Sequence, residues 1–329
     1  MKLLIAFDGS HHSESAVSDL QLAGLPADAE AVVLSVLDCR SSERRTISEL
    51  KEPDGTANLD FNKARDQQFA VAQRGANLVS DLFPTWKVAA EVSFGSPAWK
   101  IIQRAEGGSV HPQPFDLVVL GSRGHGELKR LLLGSVAHRV ITTLRGSVRV
   151  SRGKSDRMTA PSGGVVAPPR VVVGVDGSTD AQSAVEAIAQ RDWPYGTRVI
   201  MASFETGPLA TFSNWEPNTI WGGAPILPDS ATAAGRPALR VVTEAEEFVR
   251  FRRPDLVINT LVKAADPKYG LLGASEETSK HGADCIFVGA SGVRGLERFL
   301  LGSVSTTVAM NAACSVEIVR HREERNGSR

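Results

Sequence analysis

Continuous apolar runs alternate with segments of helical periodicity along this chain. In the first half the pattern predicts strands over Lys2–Phe7, Ala31–Leu37, Val88–Phe94, Phe115–Leu120 and Val148–Val150. It predicts helices over Ser13–Leu22, Asp60–Leu82, Trp99–Ala105 and Ser135–Leu144. Apolar strands that alternate with helices are typical of a parallel sheet covered on both faces. The pattern therefore predicts an α/β fold.

The second half of the chain repeats the first at a constant offset. The segment around Asp8 returns around Asp176, and Gly134-Ser135-Val136 returns as Gly302-Ser303-Val304, each time 168 positions later. The second copy has predicted strands near 171–175, 198–203, 255–261, 284–288 and 316–319. A single register held over a whole domain indicates that one domain was duplicated.

The composition between these repeats predicts the domain organisation. We expect a first domain over 1–152, a second over 170–321, a linker rich in Gly, Ser and Pro over 153–169, and a flexible polar tail over 322–329. The segment 205–235 contains four prolines and two tryptophans and predicts a long loop. That loop either packs its tryptophans on a neighbouring helix or covers a ligand.

Charge and cysteine content limit the partners and the compartment. Lys+Arg and Asp+Glu both total 37, so no overall field attracts nucleic acid or an anionic membrane, and we expect neither as a partner. The three cysteines, Cys39, Cys285 and Cys314, form no CxxC pair, which favours a reducing cytoplasm. The last two lie in apolar contexts and are expected in the core. No apolar run approaches the ~20 residues that span a bilayer.

A glycine pattern follows the fourth predicted strand of each copy. Gly121-Ser122-Arg123-Gly124 precedes Gly134-Ser135 by nine residues, and Gly289-Ala290-Ser291-Gly292 precedes Gly302-Ser303 by nine. Glycines let backbone N–H groups approach phosphate oxygens closely. The Gly-Ser pair then opens a helix whose unpaired N–H groups and dipole favour an anion. The pattern predicts a phosphate site, with simple turn glycines as the alternative.

Each first strand ends in an aspartate, Asp8 or Asp176, followed by Gly-Ser. Ligands of open parallel sheets lie beyond the carboxyl ends of the strands, where the strand order reverses. A flavodoxin-like order would place the ends of strands one and four side by side. Because a carboxylate repels phosphate, a ribose hydroxyl or Mg²⁺ is its expected partner. The alternative is a turn former or helix cap. Next to Asp8, His11 and His12 are expected to be exposed turn residues.

A strand that ends in Asp, followed by G-x2-G-x9-G-[ST], resembles the nucleotide-binding signature of universal stress proteins. The resemblance covers about residues 1–152 and 170–321. It implies two tandem flavodoxin/Rossmann-like domains, each a five-stranded parallel sheet of order 3-2-1-4-5 with helices on both faces. It also implies ATP, with or without Mg²⁺, as the ligand, and pairing of the two domains through their last strands. A further homodimer stays open.

The resemblance also implies which residues contact ATP. In the first domain these are Asp8, Val36, Gly121, Arg123, Gly124, Gly134, Ser135 and Val136. In the second they are Asp176, Ser203, Gly289, Ser291, Gly292, Gly302, Ser303 and Val304. Val36 and Ser203 stand for the end of strand two, where the backbone would receive adenine. Because Arg123 matches Ser291, we expect the first site to bind ATP more tightly. Further cations that could meet phosphate are Lys129, Arg130, Arg294 and Arg298.

Three functions fit this pattern. The favoured one is a binding module that holds ATP and serves in stress response and signalling, because the motif supplies binding groups without an evident general base. The alternative is a slow Mg-dependent ATPase or phosphotransferase, in which Asp8 or Asp176 holds Mg²⁺ and Arg123 stabilises developing charge. In the third, an interaction protein, the glycines serve folding alone.

The last strand of the first domain departs from the family pattern, since Arg149 and Ser151 make it unusually polar.

Overall fold

The computed structural model describes residues 1–38, 59–107, 114–124, 133–152, 168–205, 237–276, 282–292 and 301–321. The chain divides into two compact units, one formed by Met1–Gln21 and Pro26–Gly153, the other by Leu22–Leu25 and Lys154–Arg329. Most of the predicted linker, most of segment 205–235 and the predicted tail lie outside the described residues.

The first unit alternates strands and helices. Its strands are β1 (Lys2–Ala6), β2 (Glu30–Leu37), β3 (Lys87–Phe94), β4 (Leu117–Gly121) and β5 (Ser147–Ser151). Its helices are α1 (His11–Asp19), α2 (Leu59–Leu82), α3 (Pro97–Ala105) and α4 (Ser135–Thr143), with a 3-10 turn over Leu20–Leu22. Helix α1 starts two residues before the predicted one, because Ser10 caps it and its side chain accepts from Ser13 N–H. His11 and His12 are therefore helical, which corrects the prediction of a turn.

The strands of the first unit form a parallel sheet of order β3-β2-β1-β4-β5. Strand β1 pairs with β2 on one side and with β4 on the other, where Ile5 lies opposite Val119. The strand order reverses between β1 and β4. The segments that follow these two strands, at Asp8 and Gly121, therefore lie side by side at the carboxyl edge of the sheet.

The second unit repeats this architecture. Its strands are β6 (Arg170–Gly174), β7 (Arg198–Glu205), β8 (Val257–Ala264), β9 (Cys285–Gly289) and β10 (Ser315–Val319). Its helices are α5 (Thr179–Gln190), α6 (Pro237–Arg252), α7 (Pro267–Ser275) and α8 (Ser303–Asn311). The parallel order β8-β7-β6-β9-β10 confirms the predicted fold in both units. Strand β8 begins two residues after the predicted strand.

The central strands carry the core of each unit. Leu3, Leu4 and Ile5 of β1 are fully buried, as are Val171 and Val172 of β6. Burial of both faces explains why these strands are continuous apolar runs rather than alternating ones. Cys285 and Cys314 are buried, as predicted, whereas Cys39 lies outside the described residues. Among the helices that the structure describes, none is both long and apolar enough to cross a bilayer.

The polar residue Arg149 has a defined partner inside the first unit. It lies in β5, where it pairs in parallel with Val119 of β4. Its Nε donates to Asp19 Oδ2 over 2.8 Å, and both side chains are buried. Burial and pairing explain how a charged residue is accommodated in this strand.

Candidate functional site

A cavity of about 360 Å³ opens at the carboxyl edge of the first sheet. This volume is within the range of small-molecule sites. All the residues predicted to contact a ligand in the first domain line it, namely Asp8, Val36, Gly121, Arg123, Gly124, Gly134, Ser135 and Val136. The remaining walls are mostly apolar and include Leu34 of β2, with Pro97 and Ile101 of α3. The structure therefore brings together residues separated by up to 128 positions in the sequence.

Helix α4 presents its N-terminus to this cavity. Its N-cap is Gly134, which has no side chain to accept from the first N–H groups, and no side-chain cap is formed. Ser135, Val136 and Ala137 of the first turn line the cavity, and Ser135 is exposed. By contrast, α1 is capped by its own Ser10 side chain. An N-terminus without a side-chain cap leaves N–H donors and the positive end of the helix dipole for an anion.

The segments that start at the ends of β4 and β9, residues 121–124 and 289–292, are called the glycine loops. Gly121 permits a close approach between the first of these loops and helix α1. A Cβ at this position would lie 2.8 Å from the backbone oxygen of His12, which is shorter than real contacts allow. The equivalent Gly289 would place a Cβ 2.6 Å from the backbone nitrogen of Ala181. Glycine is thus required at the ends of β4 and β9, so that the segments that follow them can pack against α1 and α5, respectively. This steric role accounts for the first glycine of the motif, independently of any ligand.

Asp8 has one oxygen in a turn and the other facing the glycine loop. Its Oδ1 accepts from the Ser10 N–H over 3.0 Å and from the Ser10 hydroxyl over 2.6 Å, next to Gly9 with its φ of +80°. Its Oδ2 would lie 2.7 Å from a Cβ on Gly124. The turn role expected as an alternative is therefore present. The carboxylate also stands at the loop, where a ribose hydroxyl or a cation would meet it.

Two nitrogen-bearing side chains accompany this loop, Arg123 in the cavity wall and His12 in the first turn of α1. Burial lowers the pKa of His12 below 6.5, and the positive charges of Arg123 and His11 lower it further, while Asp8 partly opposes them. Arg123 lines the cavity, and the His12 backbone oxygen lies against Gly121 at the start of the same loop. The sequence predicted His12 as an exposed turn residue without a role at the site, because a histidine in this position belongs to no motif.

The second domain builds the same backbone frame. Gly302 N–H donates to the Ala290 oxygen over 2.7 Å, as Gly134 N–H donates to the Ser122 oxygen over 2.8 Å in the first domain. Helix α8 likewise starts at a glycine without a side-chain cap, and Ser303 in its first turn is exposed. Asp176 Oδ2 would lie 2.9 Å from a Cβ on Gly292. Asp176, Gly289, Ser291, Gly292, Gly302, Ser303 and Val304 therefore occupy positions matching those of the first site.

The side chains around this second frame differ from those of the first. Asp180, at the position of His12, accepts hydrogen bonds through Oδ2 from both the N–H and the hydroxyl of Ser291, with 2.9 Å to the nitrogen. Ser291 itself stands in place of Arg123. A carboxylate thus contacts the loop of the second domain at a position where the first domain has an imidazole.

The region predicted to receive adenine also differs. The repeat register aligns Val36 with Phe204 and Ser35 with Ser203. A Cβ on Gly270 of α7 would lie 2.3 Å from the Phe204 ring, so this ring packs directly against the helix. Ser203 is buried in β7, adjacent to Phe204. The larger side chain takes up space in the second domain where Val36 borders the cavity of the first.

The remaining predicted cations are not placed by the structure. Lys129 and Arg130 of the first domain lie outside the described residues, as do Arg294 and Arg298 of the second. Among the residues that are described, no group of three or more His, Cys, Asp or Glu side chains is arranged to hold a metal ion. Asp8 and Asp176 each supply a single carboxylate.

This protein is a tandem pair of doubly wound α/β domains. Each domain has a glycine loop and a helix without a side-chain cap at the point where the strand order of its sheet reverses. A family model described as the universal stress protein family matches residues 1–152 and 169–320. The chain belongs to the universal stress protein family.

Individual relatives agree with this assignment. A universal stress protein of Mycolicibacterium smegmatis is 28% identical over 209 residues, which are 63% of this chain and 62% of the relative. One of Mycobacterium tuberculosis is 28% identical over 250 residues, 71% of this chain and 70% of the relative. The crystal structure of a universal stress protein from Archaeoglobus fulgidus has a TM-score of 0.60 at 19% identity, covering 97% of this chain and 98% of that one. The last likeness supports the tandem fold.

Proposed function

We propose that this chain is an ATP-binding universal stress protein that acts as a nucleotide-dependent module in stress response and signalling. The observation that carries the proposal is the convergence of all eight predicted residues of the first domain on one cavity at the N-terminus of α4. An apolar wall beside a polar, donor-rich end suits a ligand with an aromatic base and a phosphate chain.

The residues of the first domain can be assigned to the parts of ATP. The N–H groups of Gly124, Ser135 and Val136 and the guanidinium of Arg123 would meet the phosphates. The apolar wall around Val36 would receive adenine. Asp8 would contact the ribose, or Mg²⁺ held mainly by phosphate oxygens, since Mg²⁺ is commonly bound by one or two carboxylates plus substrate phosphates. Both roles are compatible with an Asp8 oxygen that faces Gly124.

Isothermal titration calorimetry with Mg-ATP on the full chain tests this proposal, together with mass spectrometry of small molecules released from the purified, denatured protein. Binding of ATP that weakens in a Gly124→Val variant supports it. A protein that carries no nucleotide and gives no heat with Mg-ATP would overturn it, and the interaction protein would become the leading hypothesis.

Slow Mg-dependent ATP hydrolysis or phosphoryl transfer is the second candidate, because the Asp8 carboxylate faces the loop at which the phosphates would lie. It is tested by multiple-turnover phosphate release. Turnover that disappears in the Asp8→Ala, Asp176→Ala double variant would favour an enzyme, whereas ATP that is bound but not consumed would favour the binding module. Three further expectations stay predictions: a cytoplasmic location, pairing of the domains through β5 and β10, and a further homodimer.

A further inference from the structure

The two domains carry different charges at matching positions in and beside their glycine loops. The first domain has His12 and Arg123, and the second has Asp180 and Ser291. The aspartate that follows the first strand is common to both domains. With His12 neutral, the replacement of a cation by a serine and of an imidazole by a carboxylate makes the second loop more negative by two charges. This difference bears directly on the affinity for a polyphosphate.

Asp180 is also bonded to the backbone that surrounds the second site. Its Oδ2 accepts from the Ser291 N–H over 2.9 Å, and its Oδ1 accepts from the His321 N–H over 2.7 Å. The residue lies in the first turn of α5, where the helix dipole favours a negative charge. These contacts hold the carboxylate against the loop and engage one of the N–H groups of the loop.

The Ser291 backbone connects this carboxylate with the N-terminus of α8. A Cβ on Gly302, the N-cap of α8, would lie 3.6 Å from the Ser291 Cα and 3.8 Å from the Gly292 nitrogen. The Asp180 carboxylate is therefore one hydrogen bond away from backbone that packs on the uncapped helix. A phosphate bound at that helix would lie close enough to be repelled in this partly buried setting.

We infer that Asp180 is a specificity-determining residue that disfavours polyphosphate in the second domain, so that the chain binds one ATP tightly, in the first. The inference rests on the proposed function. Two effects of Asp180 act in the same direction. Its charge repels the phosphates, and a phosphate that binds Ser291 N–H must first replace a charge-assisted hydrogen bond.

The test is calorimetry of Mg-ATP binding by the full chain, comparing the wild type with Asp180→Asn. Asparagine keeps a carbonyl oxygen that can accept from Ser291 but removes the charge. We expect one tight site in the wild type and an at least tenfold gain in second-site affinity in the variant. Glu186→Gln is the matched control, because it removes one exposed carboxylate from the same helix. It should behave as the wild type.

The reciprocal change tests the same inference in the first domain. His12→Asp should lower the affinity of the tight site at least tenfold, and circular dichroism checks that both variants are folded. If Asp180→Asn is unfolded, Asp180→His, which introduces the residue of the first domain, takes its place.

The outcomes separate the inference from the function on which it rests. Two equal ATP sites in the wild type, or a folded Asp180 variant with an unchanged second site, would overturn the inference and leave ATP binding in place. A wild type and variants that bind no ATP at all would overturn the proposed function and, with it, the inference.

Discussion

The guanidinium of Arg149 and the carboxylate of Asp19 form a buried ion pair of 2.8 Å between strand β5 and helix α1 of the first domain. The side chains are 0% and 3% exposed, respectively. The pair ties the last strand of the domain to its first helix, across 130 positions of sequence. Removing one partner would leave the other charge buried without this compensation, which is far more costly than losing an exposed pair.

Asp19→Ala is therefore expected to lower the free energy of unfolding of the first domain by about 3–5 kcal/mol. Chemical denaturation followed by circular dichroism measures the change. Asp66→Ala is the control, since it removes an acidic partner of an exposed ion pair with Arg65, for which we expect a change below about 1 kcal/mol. Equal effects of the two substitutions would contradict the importance of burial. The Asp19→Leu, Arg149→Met double variant should recover part of the loss, because it removes both charges together.

The close approach at Gly121 gives a second prediction. In Gly121→Ala the new methyl group would meet the backbone of His12 at 2.8 Å, so α1 and the loop must move apart. We expect a loss of about 1–3 kcal/mol in unfolding free energy, typical of overpacking, and weaker ATP binding. Gly146→Ala is the control, because a Cβ there would meet its nearest neighbour at 3.9 Å, an ordinary contact. If Gly121→Ala is as stable and as active in binding as Gly146→Ala, the steric argument fails.

The shifted pKa of His12 predicts a pH dependence of stability. Burial first, and then the charges of Arg123 and His11, lower this pKa below 6.5 in the folded protein. The unfolded chain therefore binds a proton more readily than the folded one as the pH falls from about 6.5 towards the folded pKa. His12 consequently lowers the free energy of unfolding as the pH falls below about 6.5, and it has no such effect at higher pH.

His12→Gln should remove this contribution and give a shallower fall in unfolding free energy between about pH 7.5 and pH 5. The measurement is chemical denaturation at several pH values. His138→Gln replaces an exposed histidine of α4 that does not line the cavity and serves as the matched control. If the unfolding free energy of His12→Gln falls with decreasing pH as steeply as that of the wild type, or more steeply, the lowered pKa of His12 does not explain the pH dependence.

Arg123→Ser tests the contribution of the cation in the first site by introducing the residue of the second. A hydrogen bond to a charged group contributes roughly 1.5–3 kcal/mol, so the affinity for Mg-ATP should fall about tenfold or more. Arg145→Ser, beyond the C-terminal end of α4, removes the same charge far from the helix N-terminus and should leave the affinity unchanged. An unaltered affinity in Arg123→Ser would show that the guanidinium does not contribute to phosphate binding.

Periodicity and repetition in the sequence were sufficient to predict two α/β domains with parallel sheets, whereas the strand order 3-2-1-4-5 followed from the family resemblance. The apolar runs of β1 and β6 follow from burial of both faces of the sheet. Because the chain is duplicated, each strand and helix is represented by two segments of the sequence, which supports its prediction twice. The glycine motif could also be located because it occurs in both copies. Gly121 and Gly289 are required sterically by backbone contacts, and such positions admit few other residues.

Side-chain pairs distant in sequence could not be predicted in this way. Nothing in the spacing of Arg149 and Asp19 indicates that they meet, because their contact depends on the packing of β5 beside α1. The contact of Asp180 with Ser291 spans 111 positions and was missed for the same reason. His12 was misplaced in a turn, since the cap that begins α1 at His11 is the preceding serine rather than the aspartate.

The reversal of strand order between β1 and β4 has a consequence for the stage of synthesis at which the ligand site can form. The first strand supplies Asp8 at once, but its partners at Gly121 and Ser135 are synthesised more than a hundred residues later. A nascent chain that ends before Gly121 contains only Asp8 and Val36 of the eight residues predicted for the site. Ligand binding can therefore stabilise this domain only after α4 has been synthesised, because a ligand that binds only the folded form stabilises that form alone.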